Sequence, residues 1–171
     1  PPQSTILDLL YEAKHEVWAV GKISDIFAGR GVTRALHTRH NMETIDVTLR
    51  FMAELKQSGL IFANCVDFDM LWGHRNDVGG YARGLEELDA RLPEILRALK
   101  DDDLLVLLAD HGCDPTTPGT DHSREYVPLI LFGSACRPGR ALGVRESFSD
   151  VAASLAVILG VPNPGPGRSF L

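Results

Sequence analysis

The fold class this sequence predicts is α/β: a three-layer α/β/α sandwich around a mostly parallel sheet. Two observations carry that prediction. Short, continuous apolar runs alternate along the chain with longer segments of helical period. The runs are solidly apolar rather than alternating, as in strands buried on both faces, and the intervening helices supply the two covering layers. A third observation points to function: the second and third apolar runs both empty into clusters of Asp and His.

Taken in order, Ser4 is placed to cap a helix over Thr5–Lys14, in which Ile6, Leu9, Leu10 and Ala13 recur at helical spacing. Val17–Val20 reads as the first strand, stopped by Gly21. Residues 23–40 (ISDIFAGRGVTRALHTRH) show no clean period and read mostly as loop. Asn41 is placed to cap a helix from Met42 to about Gln57, with Ile45, Leu49, Met52 and Leu55 inward. Ser58-Gly59 ends it, and Leu60–Val66 (LIFANCV) is the second strand.

Val78–Lys100 predicts a long amphipathic helix, capped by Asp77, that turns Tyr81, Leu85, Leu88, Leu92, Ile95 and Leu99 to the core. Leu104–Leu108 is the third strand and Tyr126–Phe132 the fourth, with Pro128 marking an edge or a strand start. Phe148–Leu159, behind Ser147 or Ser149, is the last helix. The Pro/Gly-rich tail VPNPGPGRSFL should wrap the surface.

Bulk composition narrows the function. The chain has 171 residues, 44% hydrophobic and 23% charged, which fits one soluble globular domain over residues 1–171. A net charge of −6 with scattered Lys and Arg argues against a nucleic-acid partner. No apolar run approaches the roughly 20 residues that span a bilayer, so no membrane partner is expected. The polar start PPQSTILDLLYEAK does not look like a signal peptide. Cys65, Cys113 and Cys136 form no CxxC pair or even framework, and a reduced, cytoplasmic setting fits them. The chain opens on Pro1-Pro2 without Met, as a piece of a longer polypeptide would.

In open α/β sheets, ligands gather beyond the carboxyl ends of the strands. There the second strand delivers VDFDMLWGHRND, with Asp67, Asp69 and His74. The third delivers ADHGCD and then TDHSRE, with Asp110, His111, Asp114, Asp121 and His122. Carboxylate mixed with imidazole suits manganese, zinc or iron better than calcium or magnesium. Asp114, before Pro115, also suits a turn, and His15, His37 and His40 read as solvated loop histidines. Along a strand Asp67 and Asp69 would share a face. Asp69, nearer the rim and nearer His74, is the preferred ligand, with Asp67 supporting it from behind. Cys113 is a soft thiol among hard carboxylates and reads as a bystander.

The stretches GKISDIFAGRGVT, NCVDFDMLWGHRNDVGGYARGLEELDARLPE and ADHGCDPTTPGTDHSREYVPL resemble the phosphopentomutases, a dimetal family of the alkaline phosphatase superfamily. The resemblance covers nearly the whole chain. It implies an alkaline phosphatase-like core and interconversion of ribose (or deoxyribose) 1-phosphate with the 5-phosphate. It further implies a phosphothreonine and two Mn2+ ions. It assigns Asp69, His74 and His122 to one ion, Asp110 and His111 to the other, and Lys22 of GKISD to substrate binding.

The family's N-terminal strand, which brings a further aspartate ligand, its nucleophilic threonine and its cap domain have no counterpart in these residues. The chain therefore looks like the carboxyl-terminal part of the core, with one three-ligand site, one partial site and no turnover by itself. Rival readings are another dimetal phosphatase, a cofactor-independent phosphoglycerate mutase, or a non-catalytic metal-binding fragment. A nucleotide-binding doubly wound domain fails for want of a Walker A or GxGxxG loop.

Overall fold

A computed structural model of the chain describes residues 3–171, so the Pro1-Pro2 start lies outside the described residues. The first helix, α1 (Ile6–Glu12), begins one residue later than the sequence suggests. Its cap is Thr5, not Ser4, because Thr5 and Asp8 form a reciprocal capping box in which each side chain accepts from the other's backbone N–H. Strand β1 (Glu16–Val20) follows, buried from Val17 onward.

The stretch read as loop holds two short elements, a single-turn helix α2 (Ile23–Ile26) and a strand β2 (Arg34–Leu36). The strand was invisible to periodicity because its three residues are mostly exposed. It is held from outside itself, by parallel pairing with β1 and by the Arg34 guanidinium over the rings of Trp18 (4.7 Å) and Phe51 (4.6 Å).

Helix α3 (Asn41–Glu54) starts at Asn41 itself; the cap is His40, whose Nδ1 accepts from the Glu43 N–H at 3.2 Å. The inward face is Thr44, Ile45, Val47 and Phe51 rather than the stripe through Leu49 and Met52. Strand β3 (Gly59–Ala63) stops three residues short of the predicted end at Val66.

The long helix α4 (Val78–Ala98) is capped as expected by Asp77, which accepts from the Gly80 N–H at 2.8 Å. Its inward positions include Gly80 and Gly84, whereas Leu85 is 50% exposed. Strand β4 (Leu104–Leu108) has its predicted bounds, and β5 (Leu129–Gly133) begins just after Pro128. Helix α5 (Ser149–Leu159) ends at Gly160 in the left-handed region, φ 67°.

The strands form a parallel sheet in the order β2-β1-β3 and a separate antiparallel pair β4-β5. The mixed α/β class is as predicted, but among the described residues β3 and β4 share no ladder, so the two Asp/His clusters do not leave one continuous sheet. Alternation along β1 sends Val17 into a cluster with Leu7 and Leu10 of α1. It sends Trp18 and Val20 to the other face, against Val47 and Phe51 of α3. Helices therefore cover both faces of the parallel sheet.

The tail is fastened rather than loosely wrapped. Phe170 is buried and its N–H donates to Ser154 Oγ at 3.0 Å, while the Arg168 N–H donates to Asp150 at 2.8 Å. Among the described residues no helix is long and apolar enough to cross a membrane.

Candidate metal centre

Beyond β3 the chain does not continue as a strand. Phe68–Trp72 widen into a π-helical turn and Gly73–Arg75 tighten into a 3₁₀ turn, before Asn76 enters the left-handed region at φ 53°. π-helical turns occur frequently at functional sites. Here the strand argument for Asp67 and Asp69 sharing a face does not apply. Asp67 turns into the interior and accepts from the Asn41 N–H at 2.7 Å, while Asp69 turns to the rim. Aromatic packing fixes the turn. The Phe68 ring sits 5.4 Å from Trp72 and 5.3 Å from Tyr81, and the Trp72 ring lies over α4 where Gly80 and Gly84 leave no Cβ.

The second cluster is folded back by a loop. Gly112 and Ser123 form an antiparallel bridge, the Ser123 N–H donating to the Gly112 carbonyl at 3.1 Å. Inside the loop Asp114 is the turn former its neighbour Pro115 suggested, accepting from the Thr116 hydroxyl at 2.7 Å and N–H at 2.8 Å. The Thr116 hydroxyl, with the N–H beside it, holds the Asp114 carboxyl below its ordinary range. The bridge returns His122 onto His111, their rings stacked 3.6 Å apart. The two clusters then meet at Gly73, where a Cβ would collide with Cys113 Sγ; only glycine permits that approach.

Asp69 is the point of convergence. Its Oδ1 lies 3.2 Å from His74 Nε2 and 3.1 Å from His122 Nε2. Ligand-capable atoms of Asp69, His111 and His122 all fall within 4.8 Å of one another. Asp110 is at the margin, its Oδ1 3.6 Å from His111 Nε2 and its side chain 68% exposed. Lys22 reaches the same rim, its Nζ 2.7 Å from Sδ of Met70, the residue after Asp69. Asp121 is exposed. Burial first, and then the Asp69 carboxylate, push the Cys113 thiol up, which fits its reading as a bystander.

These residues fit a divalent cation. Ligand atoms about 2.1 Å from one ion sit roughly 3.0–3.4 Å from each other, the spacing found around Asp69 Oδ1. The hydrogen bonding agrees. His74 Nδ1 faces the Thr120 carbonyl and His111 Nδ1 the Gly112 carbonyl, so each Nδ1 carries the proton and leaves a bare Nε2. In a neutral His74 that bare Nε2 would face Asp69 Oδ1, acceptor against acceptor. A cation between them, or a proton on the imidazole, removes the conflict.

All five residues named as ligands from the sequence thus lie at one rim, with Asp69, His74, His111 and His122 packed together and Asp110 outermost. Sequence reasoning missed the supports. Trp72 with Gly80 and Gly84 carried a legible signal, an aromatic before an i, i+4 glycine pair. The Thr120 and Gly112 carbonyls carried none, since backbone atoms have no residue code.

Relatives place this arrangement among known proteins. The chain is 56% identical over 167 residues to the phosphopentomutase of Caldanaerobacter subterraneus subsp. tengcongensis, covering 98% of this chain and 42% of that protein. It is 55% identical over 171 residues to the phosphopentomutase of Desulfitobacterium hafniense and 54% identical over 171 residues to that of Clostridium novyi. Each of these matches covers 100% of this chain and 44% of the relative. The chain therefore spans less than half the length of these curated relatives. The signature of the Metalloenzyme superfamily matches residues 10–163, and the chain belongs to that superfamily.

Proposed function

We propose that this chain is the metal-binding part of the core of a phosphopentomutase, which interconverts (deoxy)ribose 1-phosphate and (deoxy)ribose 5-phosphate. The observation that carries the reading is the convergence of His74 and His122 on Asp69 Oδ1, with His111 beside them, in a sequence more than half identical to phosphopentomutases. The small-molecule partner is then a pentose phosphate, the cofactor Mn2+ and the setting the cytoplasm. In this reading the phosphothreonine and the cap domain fall in the part of the relatives' length that this chain does not match.

In this reading Asp69, His74 and His122 hold one ion, and Asp110 and His111 contribute to a second. Bound cations supply charge neutralisation to a phosphoryl group in transfer, a reaction governed mainly by positioning and electrostatics. The chain's own residues set the geometry. The carbonyls of Thr120 and Gly112 fix which imidazole nitrogen faces inward. The aromatic clamp of Phe68, Trp72 and Tyr81 restrains the turn that carries Asp69. Lys22, exposed at the rim beside that turn, offers a point charge to a phosphate oxygen. Restraint of this kind matters because displacement of a reacting group by about 1 Å can cost roughly 100-fold in rate.

Calorimetric titration of this chain with Mn2+ should give one tight site and one weak one; two tight sites of equal affinity would contradict the assignment of a partial second site. A polypeptide carrying this sequence at the full length of its relatives should turn over ribose 1-phosphate and leave 3-phosphoglycerate untouched. The opposite preference would transfer the reading to a phosphoglycerate mutase of the same superfamily.

A further inference from the structure

Asp67 and Asn41, 26 residues apart, form a reciprocal pair. The Asn41 N–H donates to Asp67 Oδ2 at 2.7 Å and the Asp67 N–H donates to Asn41 Oδ1 at 3.0 Å. Both residues are buried, Asn41 at 3% and Asp67 at 7% exposure. The pair joins the first residue of α3 to the last residue before the π-helical turn, two positions from Asp69. Asp67 also puts a carboxylate at the amino end of a 14-residue helix, where the exposed N–H groups favour negative charge. Asn41 Nδ2 is buried without a partner among the described residues, so Asn41 is oriented through its oxygen alone.

We propose that the Asn41–Asp67 pair is a positioning device for the metal centre: it anchors the entry of the Asp69 turn to the rigid end of α3, and so fixes where the Asp69 carboxylate meets the histidines. This rests on the metal reading above. Asp67 itself takes no place in the ligand set; it acts through the chain it holds. Two hydrogen bonds in opposite directions across one contact restrain both the distance and the rotation of the turn's first residue, which a single cap would not do. Both bonds end on side-chain oxygens, so an amide at position 67 keeps an acceptor for the Asn41 N–H and leaves the Asn41 oxygen in place.

The test is Mn2+ affinity by calorimetry, set beside thermal unfolding of the metal-free chain. Asp67→Ala removes the acceptor for the Asn41 N–H, leaves only the Asp67 N–H bond to Asn41 Oδ1, and should weaken Mn2+ binding about 10- to 100-fold, as loss of a group that orients a ligand does. Asn41→Ala also leaves one bond, but the shorter one, from the Asn41 N–H to the Asp67 carboxylate, and should weaken binding by less. Asp67→Asn keeps both oxygens that matter and should recover most of the affinity. Ser154→Ala serves as the control: it deprives the Phe170 N–H of its acceptor and lowers stability through bonds that involve none of the candidate ligands, and should leave Mn2+ affinity unchanged.

Three results would overturn the proposal. Asp67→Ala could bind Mn2+ within about twofold of the unaltered chain, Asp67→Asn could be as weak as Asp67→Ala, or Ser154→Ala could lose as much affinity at equal loss of melting temperature. Failure of the unaltered chain to bind Mn2+ would instead sink the metal reading itself, and the positioning role with it.

Discussion

Replacing Gly84 by Ala tests whether α4 holds the metal turn through Trp72. A Cβ at position 84 would stand 2.5 Å from Cη2 and 3.0 Å from Cε3 of the Trp72 ring, with Cζ3 closer still. Carbon atoms rest about 3.5–4.0 Å apart, so the ring must retreat by roughly 1 Å or more. It has little freedom to do so, because Phe68 flanks it at 5.4 Å and Gly80 brings the helix backbone close on the same side.

Overpacking of this kind costs about 1–3 kcal/mol, and the better helix propensity of Ala offsets about 1 kcal/mol of it. The net expectation is a loss of about 0–2 kcal/mol, or up to about 8 °C in melting temperature for a chain of this size. Gly79→Ala is the matched control on the same helix. Its Cβ meets only Arg83 Nη1 at 3.3 Å and Asp77 Oδ1 at 3.7 Å, so it should be neutral or slightly stabilising.

Metal affinity separates the two variants further. Trp72 lies between Asp69 and His74 in sequence, and a displaced ring carries both along, so Gly84→Ala should bind Mn2+ more weakly and Gly79→Ala should not. Urea unfolding and calorimetry on both variants decide the matter. Equal stability and equal Mn2+ affinity in Gly84→Ala and Gly79→Ala would refute the seat assigned to Trp72.

Two further outcomes are expected. His122→Ala should abolish the tight Mn2+ site if the imidazole 3.1 Å from Asp69 Oδ1 anchors the ion as proposed; a calorimetric trace like that of the unaltered chain would show the ligand set to be misassigned. Stability should fall in acid through Asp150, whose carboxyl is held below its ordinary value first by the Arg168 N–H and then by the Arg145 guanidinium, against an opposing push from burial. A depressed carboxyl stabilises fully above its unfolded-state pKa and loses that contribution as pH falls through the folded-state value. The urea midpoints of the unaltered chain and Asp150→Asn should therefore converge in acid, and parallel curves would count against it.

How much of this was legible depends on where each signal resides. β4 was readable to the residue because LLVLL is continuously apolar and bounded by Asp103 and Ala109-Asp110. β2 was not, since Arg34–Leu36 are a strand only by virtue of the β1 ladder and of two rings from elsewhere under Arg34. The convergence of Asp69, His74, His111 and His122 was legible because imidazole and carboxylate cluster just beyond two apolar runs. Asn41 was misread as a cap for the same reason it was noticed: Asn is a favoured cap residue, and only the fold reveals that its oxygen is engaged by Asp67 while His40 does the capping.

The error over the shared sheet is informative about how the centre is built. If the ligands hung from adjacent strands of one sheet, strand register would fix their spacing. Instead β3 and β4 lie in separate ladders, and three loop contacts close the centre: Gly73 against Cys113, the Gly112–Ser123 bridge, and the His74 bond to the Thr120 carbonyl. Two of them join the turn after β3 to the loop after β4 and the bridge folds that loop back on itself, each within two positions of a candidate ligand. Substitutions at Gly73, Gly112 or Ser123 should therefore disturb metal binding more than changes of similar size within β3 or β4, because the strands set the rim but the loops set the distances across it.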